Sequence, residues 1–263
     1  MKRTNLAVVI SSCDLYSDCW KPLFHSIHKY WPDCPYPIYL ICNYKDSGDD
    51  SVIPIKVGEH LGWGSNTKHA LDKIDADYIL LIQEDYFMVR TMSSQAIEQH
   101  IAFCERNDVD YIRLEQPYRD SYSCPDNDNY CYDSLSLRYA LCLQPAIWRK
   151  DVLHRLAIEG WTGWDYEAKI RSFVQKNDIR VNSYVIRSSL KLSLGYPIVN
   201  GTGIRKGIWT RAGYKFLEEN GFYDEMKGRK VEGKFMSWCM HQHHPLLRIP
   251  CAIIIRIMQK IMK

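Results

Sequence analysis

Apolar residues in this chain come in short unbroken runs separated by longer stretches of helical spacing, and that rhythm predicts an α/β fold. Leu6-Ala-Val-Val-Ile10 leads into Ser11-Ser-Cys-Asp14, a buried strand ending in small and polar residues. From Ser17 to Tyr30, Trp20, Leu23, Phe24, Ile27 and Tyr30 recur at helical spacing, with Ser17 or Asp18 as candidate N-cap and Pro22 in the first turn. The turn from Trp31 to Pro37 stops that helix. Ile38 to Cys42 and Val52 to Val57 then read as strands, Ser65 to Ile74 as a helix, and Tyr78-Ile-Leu-Leu-Ile82 as the strongest strand in the chain. Beyond it the pattern predicts a helix from Ser94 to Arg106, a strand Tyr111 to Leu114 and a polar loop from Gln116 to Asp133. A strand Arg138 to Leu143, a helix Lys150 to Ile158 and a helix opening at Gly160 and running to Val174 follow. Residues 195–235, rich in Gly, Arg and Lys, predict a long loop with one helix, Thr210 to Asn220. Strands alternating with helices imply a mostly parallel sheet covered on both faces. Ligands of such sheets bind outside the carboxyl ends of the strands, so the residues that follow each strand matter most.

Composition narrows the picture. The 263 residues are 46% hydrophobic, 25% charged and 13% aromatic, which excludes disorder as the main state and gives enough apolar mass for a core. That length suits one large domain, or one domain with a small appendage. Lys and Arg number 34 against 31 Asp and Glu, and a net charge of +3 is too balanced for a nucleic-acid binder. The ten cysteines form no Cys-x-x-Cys pair, which argues against a zinc knuckle, and Cys42 and Cys142 sit in apolar runs that suit reduced core thiols. The apolar run after Met1 is too short for a signal peptide, so the expectation is a cytoplasmic, reduced protein. Asn200-Gly-Thr202 then reads as an ordinary turn. Neither a Gly-x-x-x-x-Gly-Lys-Ser/Thr loop nor a Gly-x-Gly-x-x-Gly fingerprint is present.

Three segments carry chemistry. The strong strand runs into Gln83-Glu84-Asp85, and carboxylates at a buried strand end need a cation or hydrogen-bond donors. Glu84 and Asp85 are adjacent and point to opposite sides, so one would meet a cation that also holds a diphosphate while the other organises the loop; pairing with Arg or Lys is the bland alternative. Trp161-Thr-Gly-Trp-Asp-Tyr-Glu167 places Asp165 and Glu167 in the first turn of a helix. There they either complement the helix dipole or supply a general base beside a sugar-stacking wall of Trp161 and Trp164. Finally, Arg256, Lys260 and Lys263 fall on one side of a helical wheel opposite Ile254, Ile257, Met258, Ile261 and Met262. Residues 246–263 are too short and charged for a span of roughly 20 apolar residues, but suit either an interfacial membrane helix or one docked on the protein itself.

Together these segments resemble inverting glycosyltransferases of the GT-A fold, closest to a bacterial family that builds capsule or lipopolysaccharide sugars. The resemblance rests on Ser11-Ser-Cys-Asp14, Lys29-Tyr-Trp-Pro-Asp-Cys-Pro-Tyr-Pro-Ile-Tyr-Leu40, Leu61-Gly-Trp-Gly64, Tyr78 to Phe87, Tyr111-Ile-Arg-Leu114, Gln144-Pro-Ala-Ile-Trp-Arg149 and Trp164-Asp-Tyr-Glu167, in order over residues 5–215. It implies a Rossmann-like, GT-A-like α/β domain over 1–240, divided near residue 115 into a nucleotide-sugar half and an acceptor half, with a basic amphipathic tail over 241–263. Ser11, Asp14, Trp63, Gln83, Glu84, Asp85, Arg205 and Lys206 would then bind the nucleotide-sugar, Asp14 near the base or ribose and Arg205 and Lys206 on the leaving diphosphate. Trp161 and Trp164 would hold the acceptor, and Glu167, with Asp165 in reserve, would be the catalytic base. Asp85 would ligate a divalent cation, Mn²⁺ or Mg²⁺, with His243 or His244 as weaker ligands. Gln83 stands where a first acid is expected, which leaves a metal-dependent and a metal-independent enzyme both open. The implied reaction moves a hexosyl group from a nucleotide-sugar, UDP-linked by preference, to a glycan or lipid-linked acceptor. Residues 246–263 would touch the cytoplasmic face of the inner membrane. The alternatives are a nucleotidyltransferase and a non-catalytic sugar- or nucleotide-binding protein.

Overall fold

The computed structural model describes residues 5–115, 129–137, 140–187, 191–199, 201–234 and 237. The chain divides into two compact units, Met1–Pro197 and Ile198–Lys263.

The first unit is built on an eight-stranded sheet. Its strands are β1 (Leu6–Ser11), β2 (Ile38–Cys42), β3 (Val52–Lys56), β4 (Tyr78–Gln83), β5 (Tyr111–Arg113), β6 (Tyr130–Tyr132), β7 (Ala146–Arg149) and β8 (Ser183–Ile186). They lie in the order β3-β2-β1-β4-β7-β5-β8-β6. The first four strands are parallel neighbours, β7 runs antiparallel to both β4 and β5, β5 and β8 are parallel, and β6 closes the edge antiparallel to β8. This is the mixed, mostly parallel Rossmann-like α/β sheet that the GT-A resemblance implies. Chain order reverses at β1, which has β2 on one side and β4 on the other. The crevice beyond the carboxyl ends of β1 and β4 is therefore a topological switch point, the usual place for a ligand in such sheets. Register carries Ser11 opposite Gln83.

Helices α1 (Trp20–Tyr30), α2 (Trp63–Leu71), α3 (Ser94–Asn107), α4 (Lys150–Leu156), α5 (Gly163–Lys176) and the short α6 (Lys191–Leu194) connect the strands. Helix α1 buries Trp20, Leu23, Phe24 and Ile27, a stripe at the spacing of one helical face. A 3₁₀ turn over Asp14–Cys19 precedes it in place of a side-chain N-cap. Along β1 and β4, Ala7, Val9, Ile79 and Leu81 enter a core shared with Trp63, Leu71, Trp148, Leu153, Tyr166 and Ile170. The alternating residues Val8, Ile10, Leu80 and Ile82 are equally buried, so the sheet is covered on both faces.

Two expectations are corrected. The apolar run to Leu143 is not a strand over its described part: residues 140–143 form a turn, with Leu141 in the left-handed region at φ 56°. The strand forms three residues later, at Ala146–Arg149, and β6 lies at the end of the segment read as a polar loop. Cys13, Cys19, Cys34, Cys42, Cys104 and Cys142 are free thiols, but Cys131 is disulfide-bonded, against the expectation of a fully reduced chain.

In the second unit, β9 (Ile204–Arg205) and β10 (Ile208–Trp209) form a hairpin, and α7 (Arg211–Glu219) starts at a Thr210 N-cap. The hairpin turn Lys206-Gly207 has both φ angles positive, at 51° and 80°, a conformation that suits glycine at its second position. No described helix is long and apolar enough to cross a membrane. His243, His244 and the predicted amphipathic tail lie outside the described residues.

Candidate active site

At the end of β1, Asp14 braces the switch point. Its carboxylate accepts from the backbone amides of Asn43 (2.8 Å), Tyr44 (3.0 Å) and Lys45 (3.2 Å), and its own amide donates to Asn43 Oδ1 at 3.0 Å. These bonds tie the turn after β1 to the turn after β2, and Asn43 Nδ2 extends the tie to the carbonyl of Gly58. The carboxylate expected to meet the nucleoside is thus already engaged with three amides. Ser11 is buried beside it in the sheet.

At the end of β4, Glu84 and Asp85 are buried, at 9% and 7% exposure. The Glu84 charge acts on the Cys13 thiol, and the charges of Asp85 and Glu84 both act on the Tyr86 hydroxyl. Next to them, the Gln83 side-chain nitrogen is buried without a hydrogen-bond partner. A buried donor left this way is costly, and a ligand oxygen at the strand end would relieve it.

The second acidic segment reaches the same place from the other side of the sheet order. Helix α5 starts at a capping box: Thr162 Oγ1 accepts from the Asp165 amide (3.1 Å), and Asp165 accepts from the Thr162 amide (3.1 Å). Lys169 Nζ adds a 2.5 Å bond to Asp165 Oδ1, and Lys169 with Thr162 lowers the Asp165 pKa to about 2. One position further, Tyr166 turns inward against Trp63, with ring centroids 4.6 Å apart. Glu167 then projects toward the turn before β7, where its Oε1 accepts from the Leu143 amide at 2.6 Å. Burial raises its pKa, opposed by that amide and by the charge of Arg113. Oε2 makes no hydrogen bond among the described residues.

Leu143 joins the two halves. Its carbonyl accepts from Tyr86 Oη at 3.3 Å while its amide is held by Glu167. The charges of Asp85 and Glu167 both act on that one buried Tyr86 hydroxyl. The acid after β4 and the acid of α5 thus both act electrostatically on the tyrosine bonded to the Leu143 turn. Tyr86 is fixed in turn by Tyr196, whose hydroxyl donates to the Tyr86 carbonyl at 3.0 Å.

The tryptophans separate by environment. Trp63 is a core residue, 8% exposed. Trp161 lies partly buried against Phe173, at 5.5 Å between ring centroids, with Lys169 Nζ 5.5 Å from its ring, whereas Trp164 is 72% exposed and free to take an apolar sugar face. The Leu61-Gly-Trp-Gly64 motif has a backbone role. Gly62 sits at φ 96°, a Cβ on Gly64 would fall 1.9 Å from the Ile158 carbonyl oxygen, and the Gly64 amide donates to Trp161 at 2.9 Å. Those glycines let α2 dock directly on the chain that enters α5.

In the second unit, Arg205 pairs with Glu232, itself 2% exposed at the side chain, at 3.1 Å, and Glu232 also accepts from the Arg211 amide at 3.0 Å. Lys206 is exposed at the hairpin turn. Among the described residues, no three His, Cys, Asp or Glu side chains group as a metal site. The donor set at the β4 end is a carboxylate pair beside an amide, and a cation there would draw its remaining ligands from a bound diphosphate. Sequence reasoning missed Tyr86, Leu143 and Arg113. For Arg113 a signal existed, since an arginine inside the apolar run of β5 requires a buried acceptor.

No protein-family model matches this sequence, and no curated protein does. Among solved structures, the 1–349 portion of S. aureus TarS, in complex with UDP-GlcNAc, is similar with a TM-score of 0.48 and 12% identity over 70% of this chain. The chain spans 56% of that structure's length. The bifunctional IspDF from Campylobacter jejuni matches 72% of this chain and 51% of its own at a TM-score of 0.42 and 12% identity. A cytidylyltransferase from Leptospira borgpetersenii matches 88% of this chain and 100% of its own at 0.41 and 9%. These likenesses have TM-scores of 0.48, 0.42 and 0.41.

Proposed function

We propose that this protein is an inverting glycosyltransferase that moves a hexosyl group from a nucleotide-sugar, UDP-linked by preference, to a hydroxyl of a glycan or lipid-linked acceptor in bacterial surface polysaccharide synthesis. The observation that carries the reading is the turn at Leu143, where Tyr86, next to Asp85, and Glu167 take the carbonyl and the amide of one residue. In this mechanism the donor diphosphate lies at the carboxyl end of β4, near Asp85 and the unpartnered Gln83 amide. Asp85 would hold a divalent cation shared with the diphosphate, and such a cation would offset the charge of the leaving group. Glu167 removes the acceptor proton with Oε2 while Oε1 stays on the Leu143 amide. A carboxylate whose pKa is raised by burial is a better proton acceptor near neutral pH than an ordinary one. Attack from the face opposite the diphosphate inverts the anomeric carbon. Exposed Trp164 offers a stacking surface for the acceptor.

The test is a panel of nucleotide-sugars, each with Mn²⁺, Mg²⁺ or EDTA, read by calorimetry and by slow donor hydrolysis. Glu167→Gln is expected to bind the donor within about twofold of wild type and to turn over at least a hundredfold more slowly. Turnover at the wild-type rate would remove Glu167 as the base. Pyrophosphate release from a nucleoside triphosphate, without sugar transfer, would mark a nucleotidyltransferase instead.

A further inference from the structure

One buried ion pair has no part in the reaction as described. Arg113 on β5 and Asp133 just after β6 both have side chains at 0% exposure, with Nη2 and Oδ1 3.4 Å apart. Such a pair contributes little net stability over apolar side chains of the same size, so packing alone does not account for it. Arg113 Nη1 also donates to Cys142 Sγ at 3.4 Å. Cys142 belongs to the most constrained backbone near the proposed site. Leu141 is held at φ 56°, a conformation that costs a branched residue about 1 kcal/mol and persists where surrounding contacts enforce it. Those contacts are here: Tyr111 Oη donates to the Cys142 carbonyl at 3.2 Å, Tyr86 Oη to the Leu143 carbonyl at 3.3 Å, and Glu167 takes the Leu143 amide.

Resting on the reading of Glu167 as the base, we propose that Arg113 is its positioning residue, a buried guanidinium that fixes Cys142 and Leu143 so that the Leu143 amide holds one carboxylate oxygen and leaves the other to the acceptor. The groups facing Glu167 are Arg113 from β5, Cys142 from the pinned turn, Tyr86 from the loop after β4 and Tyr166 on its own helix. Arg113 is the cation among them, and its charge favours the ionised carboxylate against the opposing effect of burial.

The double variant Arg113→Met/Asp133→Asn removes both charges at once. If it does not fold, Arg113→Gln/Asp133→Asn supplies the same test with two neutral amides. The primary readout is the ¹³C titration of the Glu167 carboxyl carbon, assigned by its loss in Glu167→Gln. In the folded double variant the midpoint is expected to rise, the acid limb of the kcat profile to move up with it, and kcat at pH 7 to fall at least tenfold at unchanged donor KM. Arg113→Lys, which keeps the charge, is expected to return the midpoint toward wild type. A wild-type midpoint in the folded double variant overturns the proposal. Because the titration needs no substrate, it separates this outcome from a failure of the transferase reading, which the Glu167→Gln turnover decides.

Discussion

Asp165 and Glu167 stand two positions apart on α5, and their surroundings push them in opposite directions. Asp165 is satisfied by Thr162 and Lys169, which holds its carboxyl down at about 2 and makes it a poor proton acceptor. Glu167 has one amide partner, and burial raises its pKa. A carboxyl whose folded pKa lies above its unfolded value carries no ionisation penalty below the unfolded pKa. As pH rises through the folded pKa, the native state loses stability relative to a neutral side chain. Glu167→Gln is therefore expected to melt about 2 °C above wild type at pH 7, with the gain disappearing below about pH 4, as measured by calorimetry across that window. A variant that melts lower than wild type at neutral pH would mean that the carboxylate is held there for stability. Both acids were visible in the sequence as carboxylates opening a helix, but only Asp165 lies in its first turn, and their division of labour was not visible. The Lys169 partner of Asp165 lies one helical turn away and could be read locally. The Leu143 partner of Glu167 comes from 24 positions up the chain, through a turn that apolar patterning took for a strand.

Strands β1 to β4 and the helices beside them were legible because each is long enough to show its period. Tyr78 to Gln83 is buried along nearly its whole length, and α1 shows an unbroken apolar stripe. The four-residue strands β7 and β8 escaped, and the antiparallel pairing of β7 with β4 is a nonlocal fact. Helix α3 carries another such fact. His100 was one more helical residue in the sequence, yet in the fold it is fully buried, with Nδ1 2.9 Å from Tyr130 Oη and Nε2 2.9 Å from the Leu194 carbonyl. Nε2 must donate to that carbonyl, so Nδ1 accepts from the tyrosine and the ring is neutral. Burial lowers its pKa to about 4. The unfolded chain takes up the proton first, so this contribution is complete above pH 6.5 and is lost as pH falls toward 4, to the extent of about 3 kcal/mol. Urea unfolding at pH 7 and pH 4.5 is expected to show that loss in wild type and a clearly smaller one in His100→Gln, which can still donate to Leu194. Equal losses in the two proteins would assign the acid sensitivity elsewhere.

Asp85, Glu167 and all eight strands of the large sheet lie within Met1–Pro197, so the chemistry proposed above is contained in one unit. In the second unit the Arg205 guanidinium pairs with Glu232, whose other oxygen caps the start of α7 at Arg211. The basic tail is the segment that its sequence polarises between cations and apolar residues. Its sequence sets Arg256, Lys260 and Lys263 against an isoleucine- and methionine-rich face, which suits either a helix lying in an anionic lipid surface or one docked on the protein itself. Three cations near such a surface contribute about 1 kcal/mol each, screened by salt, and the apolar face adds a part that salt does not remove. Co-sedimentation with vesicles containing phosphatidylglycerol should accordingly weaken, but not vanish, between 50 and 500 mM salt. Deleting residues 246–263 should abolish it while leaving nucleotide-sugar binding unchanged. If the shortened chain still sediments with the vesicles, the lipid contact lies elsewhere on the protein. If instead the full chain never binds them, a soluble glycan becomes the acceptor to test.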